Sequence, residues 1–274
     1  FAIAAAYVMR SDSSKSARQE LAIRMVEKFP NWRDDGRLRY LWYQLTADEL
    51  PPPMPPVWDL LTHDFGGKAV IFSFQRRDRR YPGRVAIRAA SGGFVKTDDG
   101  SLLTIPQLAL SQTNMPGTIT FGNTPQGLHT IAGIGTSQER FIGPTPCIHT
   151  KVPYESPLQE YFHEEALEGH WTKAAYQLAL PASWRDWWPM QEAYYAGLAG
   201  RSEMIAHGTT INPEFYRDEP YYPQTPSAGC LCTYEQWSPE TGKLEKSGQV
   251  RLLNAFLENS DGTGYLVLLE LDEK

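Results

Sequence analysis

The chain has 274 residues, enough for one large catalytic domain with an appendage, or for two ordinary domains. Its net charge of −6 and lack of a long basic run exclude nucleic acid as the principal partner, because neutralising phosphates takes clustered Lys and Arg. Hydrophobic residues make up 41% of the chain, and 8 Trp, 14 Tyr and 11 Phe supply a substantial core with aromatics left for binding surfaces.

Residues 1–9 are apolar, and a chain that opens on Phe1 reads as processed or truncated. The segment is too short to span a bilayer. It fits either the end of a signal or anchor, or a packed first helix. No other segment reads as transmembrane. Ala17, Leu21, Met25 and Phe29 recur every four residues behind a Ser-rich stretch, which predicts an amphipathic helix ended at Pro30. Residues 34–50 read as a second helix, with Leu38, Leu41, Trp42 and Leu45 on one side. The run Pro51-Pro52-Pro53-Met54-Pro55-Pro56 cannot continue a helix and prefers a stiff extended conformation, so it reads as a rigid connector. A helical N-terminal segment, residues 1–66, is thus set apart from residues 67–274.

From Lys68 the texture changes to short β-like runs at 69–74, 84–88, 102–105 and 118–121, with Asp98-Asp99-Gly100 as a hairpin turn. Arg76-Arg77-Asp78-Arg79-Arg80 reads as a solvated hairpin end. Residues 154–200 form a helical, aromatic-rich insertion that includes Trp184, Trp187, Trp188, Tyr194 and Tyr195. These aromatics suit either a cleft beside the active cysteine or the core that holds the insertion in place. Residues 249–259 read as a helix and 264–271 as an apolar strand. The expected class is α+β: a mostly β sandwich or barrel-like catalytic body with helical additions.

The chemistry centres on two segments, Ile205-Ala206-His207-Gly208-Thr209 and Ser227-Ala228-Gly229-Cys230-Leu231, joined by a Pro- and Tyr-rich stretch. A thiol is a nucleophile only as thiolate, and a nearby imidazole is the usual group that ionises it. Cys230 would attack a peptide carbonyl to form a thioester, with His207 as general base and later as acid to the leaving amine. The backbone amides of Gly229 and Cys230 would stabilise the oxyanion. With three cysteines, one thiol stays unpaired within the chain; a Cys147–Cys232 bridge and three reduced thiols are both allowed, whereas Cys230–Cys232 is too short a loop. Cys232 is expected to be structural, its side chain pointing away from Cys230. His163 to His170 reads as a solvated acidic helix, since a helical zinc motif needs a second histidine where Leu167 stands. No metal and no cofactor are implied.

Together with Asn123-Thr124-Pro125-Gln126-Gly127, these segments resemble the L,D-transpeptidase family, the bacterial cell-wall enzymes with a YkuD-type catalytic domain. The match lies in a Thr-Pro-x-Gly segment before a strand, a His-Gly pair, a Ser-x-Gly-Cys turn, and a closing helix and strand, over roughly residues 68–274. Ala228 stands where the family usually has a second histidine, and Cys232 where it has Asn or Arg. The resemblance implies a transferase of cell-wall biogenesis, acting on peptidoglycan stem peptides in the periplasm or outside the cell. It also implies that the Gly208 carbonyl orients His207. Thr124, Pro125, Gly127 and Ser227, with Trp187 and Trp188 of the insertion, are the expected substrate-binding residues. Hydrolysis of the same substrates (L,D-carboxypeptidase or amidase) and an inactive wall-binding module are the competing readings.

Overall fold

The computed structural model describes residues 1–271 apart from 51, 138–141, 143, 210–223 and 239. Pro51 and most of the Pro- and Tyr-rich stretch between His207 and Ser227 lie outside the described residues. Among the described residues no helix is long and apolar enough to cross a membrane.

The N-terminal region holds four helices: α1 (Ala2–Ser11), α2 (Lys15–Lys28), α3 (Gly36–Thr46) and α4 (Val57–Thr62). Each of the middle two begins at a side-chain cap, Ser14 accepting from the Ala17 amide and Asp35 from that of Leu38. Their apolar spacing gathers Met25, Leu38, Leu41 and Leu45 around Trp32 in one small core, onto which Ala5 of α1 also packs. The third helix stops at Thr46, short of the expected residue 50, as the chain turns extended ahead of the prolines. The proline run leaves its carbonyls free, and two of them accept from the insertion: Pro56 from Trp184 Nε1 at 3.0 Å and Pro52 from Trp187 Nε1 at 3.4 Å.

The fold is α+β, built on a closed eight-stranded barrel. In chain order its strands are β1 (Ala69–Arg76), β2 (Gly83–Arg88), β3 (Ile105–Leu108), β4 (Gly127–Gly135), β5 (Cys147–Lys151), β6 (Ile205–Gly208) and β7 (Leu231–Thr233), with β10 (Gly264–Leu271) last. Helices α5 (Leu158–Tyr161), α6 (Lys173–Leu178) and α7 (Glu192–Leu198) lie in the insertion, and a two-stranded ribbon, β8 (Glu235–Trp237) with β9 (Leu244–Ser247), leads into α8 (Gly248–Leu257). Around the barrel the order is β1-β10-β4-β5-β6-β7-β3-β2, with β1–β10 and β6–β7 parallel and the remaining pairs antiparallel.

Period-two alternation divides the strand residues between two cores. Ile71, Val85, Ile105, Ile131, Ile148, Ala206, Leu231 and Leu266 come one from each of the eight strands and meet inside the barrel, together with Leu252 and Phe256 of α8. The lumen is therefore filled by side chains rather than open. Val70, Phe72, Leu128, Val267 and Leu269 face outward and are covered by the insertion, through Tyr161, Tyr176, Trp184, Met190 and Tyr195. Strands β1 and β10 are buried on both faces, which is why 264–271 reads as a continuous apolar run rather than an alternating one.

Several expectations are corrected. Residues 118–121 form turns, not a strand, and β3 begins only at Ile105. Residues 163–170 are not helical: His163 has φ of 53° and its Nε2 lies 2.8 Å from Thr130 Oγ1 and 3.0 Å from the Gly264 carbonyl. Arg79 is not solvated at a hairpin end. It is 4% exposed, paired with Glu270 at 2.7 Å and donating to the Ala109 carbonyl. Of the insertion aromatics, Trp184, Trp187, Tyr194 and Tyr195 belong to the core, and Trp188 packs against it half-buried.

The insertion is fastened to the barrel by the Tyr176 hydroxyl, which accepts from the Leu128 amide and donates to the Met190 carbonyl, both at 2.8 Å. Gly127 is glycine for the same reason: its φ is +134°, and a Cβ there would strike that hydroxyl. Tyr176→Phe keeps the shape and strands both backbone groups, so urea unfolding followed by tryptophan fluorescence should show a loss of about 2 kcal/mol. An unchanged midpoint would remove the hydroxyl from this role.

Candidate active site

The pairing of β6 with β7 sets the geometry of the thiols. The two strands run parallel with Ala206 opposite Leu231 and His207 opposite Cys232. Since Ala206 and Leu231 point into the barrel, His207 and Cys232 point outward together. The His207 ring is 3% exposed. Its Nδ1 lies 2.8 Å from the Gly208 carbonyl and so carries the proton, leaving the Nε2 lone pair 3.4 Å from Cys232 Sγ. Burial pushes the imidazole below its ordinary value, so the ring is neutral at neutral pH. Gly208 cannot carry a side chain, because a Cβ would collide with the Glu235 carboxyl.

The thiol beside the imidazole is thus that of Cys232. Cys230 lies just before β7, and its Sγ makes no hydrogen bond to either Cys232 or His207, so the expected Cys230–His207 pair is not formed in this structure. Cys232 is 1% exposed, among Leu108 and Leu110, and burial holds its thiol well above the ordinary value. Cys230 is half-buried, and its Sγ has the Glu203 carbonyl at 3.8 Å. Burial pushes its thiol up, opposed by a backbone hydrogen bond at Ile205 and by the Arg201 cation. All three cysteines are free thiols, so no Cys147–Cys232 bridge is formed; Cys147 donates to the Gly135 carbonyl at 3.3 Å.

Cys230 follows a tight turn. Gly229 has φ of +121°, and a Cβ on it would meet both the Arg201 guanidinium and the Gly122 carbonyl. The Gly229 amide is already taken by Ser227 Oγ at 3.1 Å, which in turn donates to the Cys230 carbonyl at 3.0 Å. That amide is therefore not free for an oxyanion, and Ser227 braces the turn. Thr124 Oγ1 donates to the Gly229 carbonyl at 2.8 Å, joining the two motifs across the sequence. Thr124, Pro125 and Gly127 are all buried, so they support the turn rather than line an open cleft.

Arg201, which the sequence reading did not single out, organises this region. It is 6% exposed and donates to the carbonyls of Gly117 at 2.8 Å and Ile119 at 2.6 Å. Glu192 holds the same loop from its other side, one oxygen accepting from the Gly117 amide and one from the Gln126 amide, each at 2.8 Å. Burial raises its carboxyl to about 7. Trp187 and Trp188 do not stand beside Cys230. They line a separate open cleft of about 470 Å³ with Tyr40, Gln126, Glu192 and Glu270. Among the described residues no cluster of three or more His, Cys, Asp or Glu could hold a metal ion.

No protein-family model matches the chain, and comparison with curated proteins and with solved structures finds no match.

Two measurements follow from this geometry. Iodoacetamide with peptide mapping should label Cys230 ahead of Cys147 and Cys232, at a rate still climbing with pH past the ordinary thiol value of 9.0. Labelling of Cys232 first would contradict the burial order. Stability should also respond to acid. His129, fully buried, is held at about 4 and His207 below its usual value, so protons bind the unfolded chain first. Unfolding temperature should therefore fall as pH drops from about 6.5 towards 4, and His129→Gln should flatten that slope.

Proposed function

We propose that this chain is a cysteine-dependent acyltransferase of the L,D-transpeptidase kind, acting on peptidoglycan stem peptides, with Cys230 as the thiol that is acylated. The observation that carries the reading is the Thr124–Gly229 hydrogen bond. It puts the Thr-Pro-Gln-Gly segment directly under the cysteine turn, next to a His-Gly pair whose ring is oriented by its own glycine carbonyl. Accessibility selects Cys230 over Cys232, since the latter is sealed in an apolar pocket.

In this reading Cys230 gives its proton to His207 Nε2 once movement of the short β6–β7 arc brings the two within reach, since at rest the imidazole faces the Cys232 thiol and Cys230 faces the Glu203 carbonyl. The result is an imidazolium and a Cys230 thiolate. The thiolate attacks the carbonyl preceding a D-centre. Collapse of the tetrahedral species forms the thioester and expels the amine, which receives the proton held by His207. A second amine then attacks the thioester and restores the thiol. Water in place of that amine makes the same site an L,D-carboxypeptidase or amidase. The substrate carries with it a location in the periplasm or outside the cell.

Intact-mass spectrometry with purified muropeptides is the test. An adduct of thioester mass is expected on the native chain and none on Cys230→Ala. His207→Asn should slow acylation by about a hundredfold or more. An adduct retained on Cys230→Ala would sink the nucleophile. No adduct at all would leave the wall-binding module as the better reading, and products formed with and without an added amine separate transfer from hydrolysis.

A further inference from the structure

A second cavity, of about 450 Å³, opens between α4 and the loop that follows β2, and none of Cys230, His207 or Cys232 lines it. Part of its lining is the helix face that carries Trp58, Leu61 and Thr62. Another part is bare backbone at Gly92 and Gly93, where a Cβ would meet nothing within 4 Å. Trp58 is 70% exposed, more than any other large hydrophobic side chain among the described residues. An indole left in water adds nothing to the core, and here it presents a flat apolar face at the edge of a cavity.

Arg88 is the informative residue of this lining. It stands at the end of β2 and points outward, since Val85 and Ile87 point into the barrel. The side chain is only 6% exposed, with its guanidinium 5.6 Å from the ring centre of Phe65 and 5.8 Å from that of Phe72. Those rings attract the charge but do not satisfy its N–H donors. Nη1 donates to the Leu61 carbonyl in the last turn of α4, at 2.6 Å. Nε is buried without a hydrogen-bond partner, and among the described residues Nη2 has none either. Nε and Nη2 form one edge of the guanidinium, and their parallel N–H bonds match two oxygens of a carboxylate or phosphate.

The other charged groups of the lining leave that edge unfilled. Asp64 is exposed, accepts from the Gly67 amide at 2.8 Å, and makes no ion pair with Arg88. Lys68 Nζ is committed to Asp261 at 2.7 Å and to Thr263 at 3.0 Å. Burial, together with the charges of Arg88 and Arg185, pushes His63 below its ordinary value, so its ring is neutral at neutral pH. A buried cation with one edge unmet is costly unless an anion completes it.

We infer that this cavity binds a small molecule carrying an oxyanion, carboxylate or phosphate, on a flat ring, with the oxyanion on the Nε–Nη2 edge of Arg88 and the ring against Trp58. The inference is independent of the acyltransfer reading, because no residue of the thiol site lines the cavity.

Isothermal titration calorimetry of the full chain with benzoate and with phenyl phosphate tests it, and benzamide serves as the neutral counterpart. At least one of the two anions should bind saturably with a Kd of about 1 mM or tighter. Benzamide should bind at least about tenfold more weakly, because it lacks the charged pair of acceptors. Whichever anion binds more tightly identifies the oxyanion. Arg88→Lys keeps the charge but removes the fork, and should weaken the anion about tenfold. Trp58→Ala, at an exposed position, should weaken it about fivefold and leave the unfolding midpoint in place. No saturable binding of either anion, equal binding of benzamide, or unchanged affinity in either variant would each overturn the inference.

Discussion

The loop at residues 115–126 is held between a buried cation and a buried carboxylate, and both the cysteine turn and the tryptophan cleft are built on that clasp. Arg201 takes the carbonyls of Gly117 and Ile119, and Glu192 takes the amides of Gly117 and Gln126. Each charge is matched to the backbone dipole of the opposite sense, so a loop with no strand or helix of its own still has its buried groups satisfied. The arrangement also explains how Arg201 tolerates burial without a carboxylate at hydrogen-bond distance. Its Nη1 alone donates to both carbonyls, while Nη2 lies against the Met204 sulfur at 3.6 Å.

From that loop two consequences run in opposite directions. On one side Thr124 reaches the Gly229 carbonyl, and the Gly122 carbonyl leaves room for no side chain at Gly229. The thiol turn is thus moulded on the loop, with Arg201 adding positive potential near Cys230. On the other side Asn123 and Gln126 help to line the cleft of Tyr40 and the tryptophans. The same segment is thus a wall common to the cysteine turn and the tryptophan cleft. A change that loosens Arg201 or Glu192 would be felt at both, through geometry rather than through direct contact.

How much of this was legible in the sequence depends on whether the deciding partner was a side-chain pattern or a backbone group. Period gave the second and third N-terminal helices, the final helix and strand β10, because the apolar spacing behind the Ser-rich stretch and the run 264–271 announce themselves locally, whereas residues 1–9 were open between a leader and a helix and the short α4 after the prolines was not read. Residues 118–121 look like a strand by their β-branched and aromatic content. They are turns because Gly122 tucks against the Pro116 carbonyl and Arg201 draws two carbonyls inward. Nothing in the sequence announces a carbonyl as the target of an arginine, so Arg201 went unmarked. The pairing of His207 with Cys232 follows from a register between parallel strands joined by a long connection, which local pattern does not specify.

The barrel itself is unequal around its circumference, and the candidate chemistry sits where it is thinnest. Strands β1 and β10 pair along their whole length, with both faces covered. The pairing of β6 with β7 spans only Ala206–Gly208 against Leu231–Thr233, and β3 meets β7 only at Gln107–Thr233 and Leu108–Cys232. Short ladders open at lower cost than long ones, so this arc is the part of the barrel best able to move. His207 and Cys232 are sealed from solvent in the structure, whereas Cys230 is half-buried at the edge of the same arc. At rest the imidazole therefore faces the sealed thiol and not the half-buried one, and bringing Cys230 to His207 takes movement of these short strands, the part of the barrel where such movement costs least.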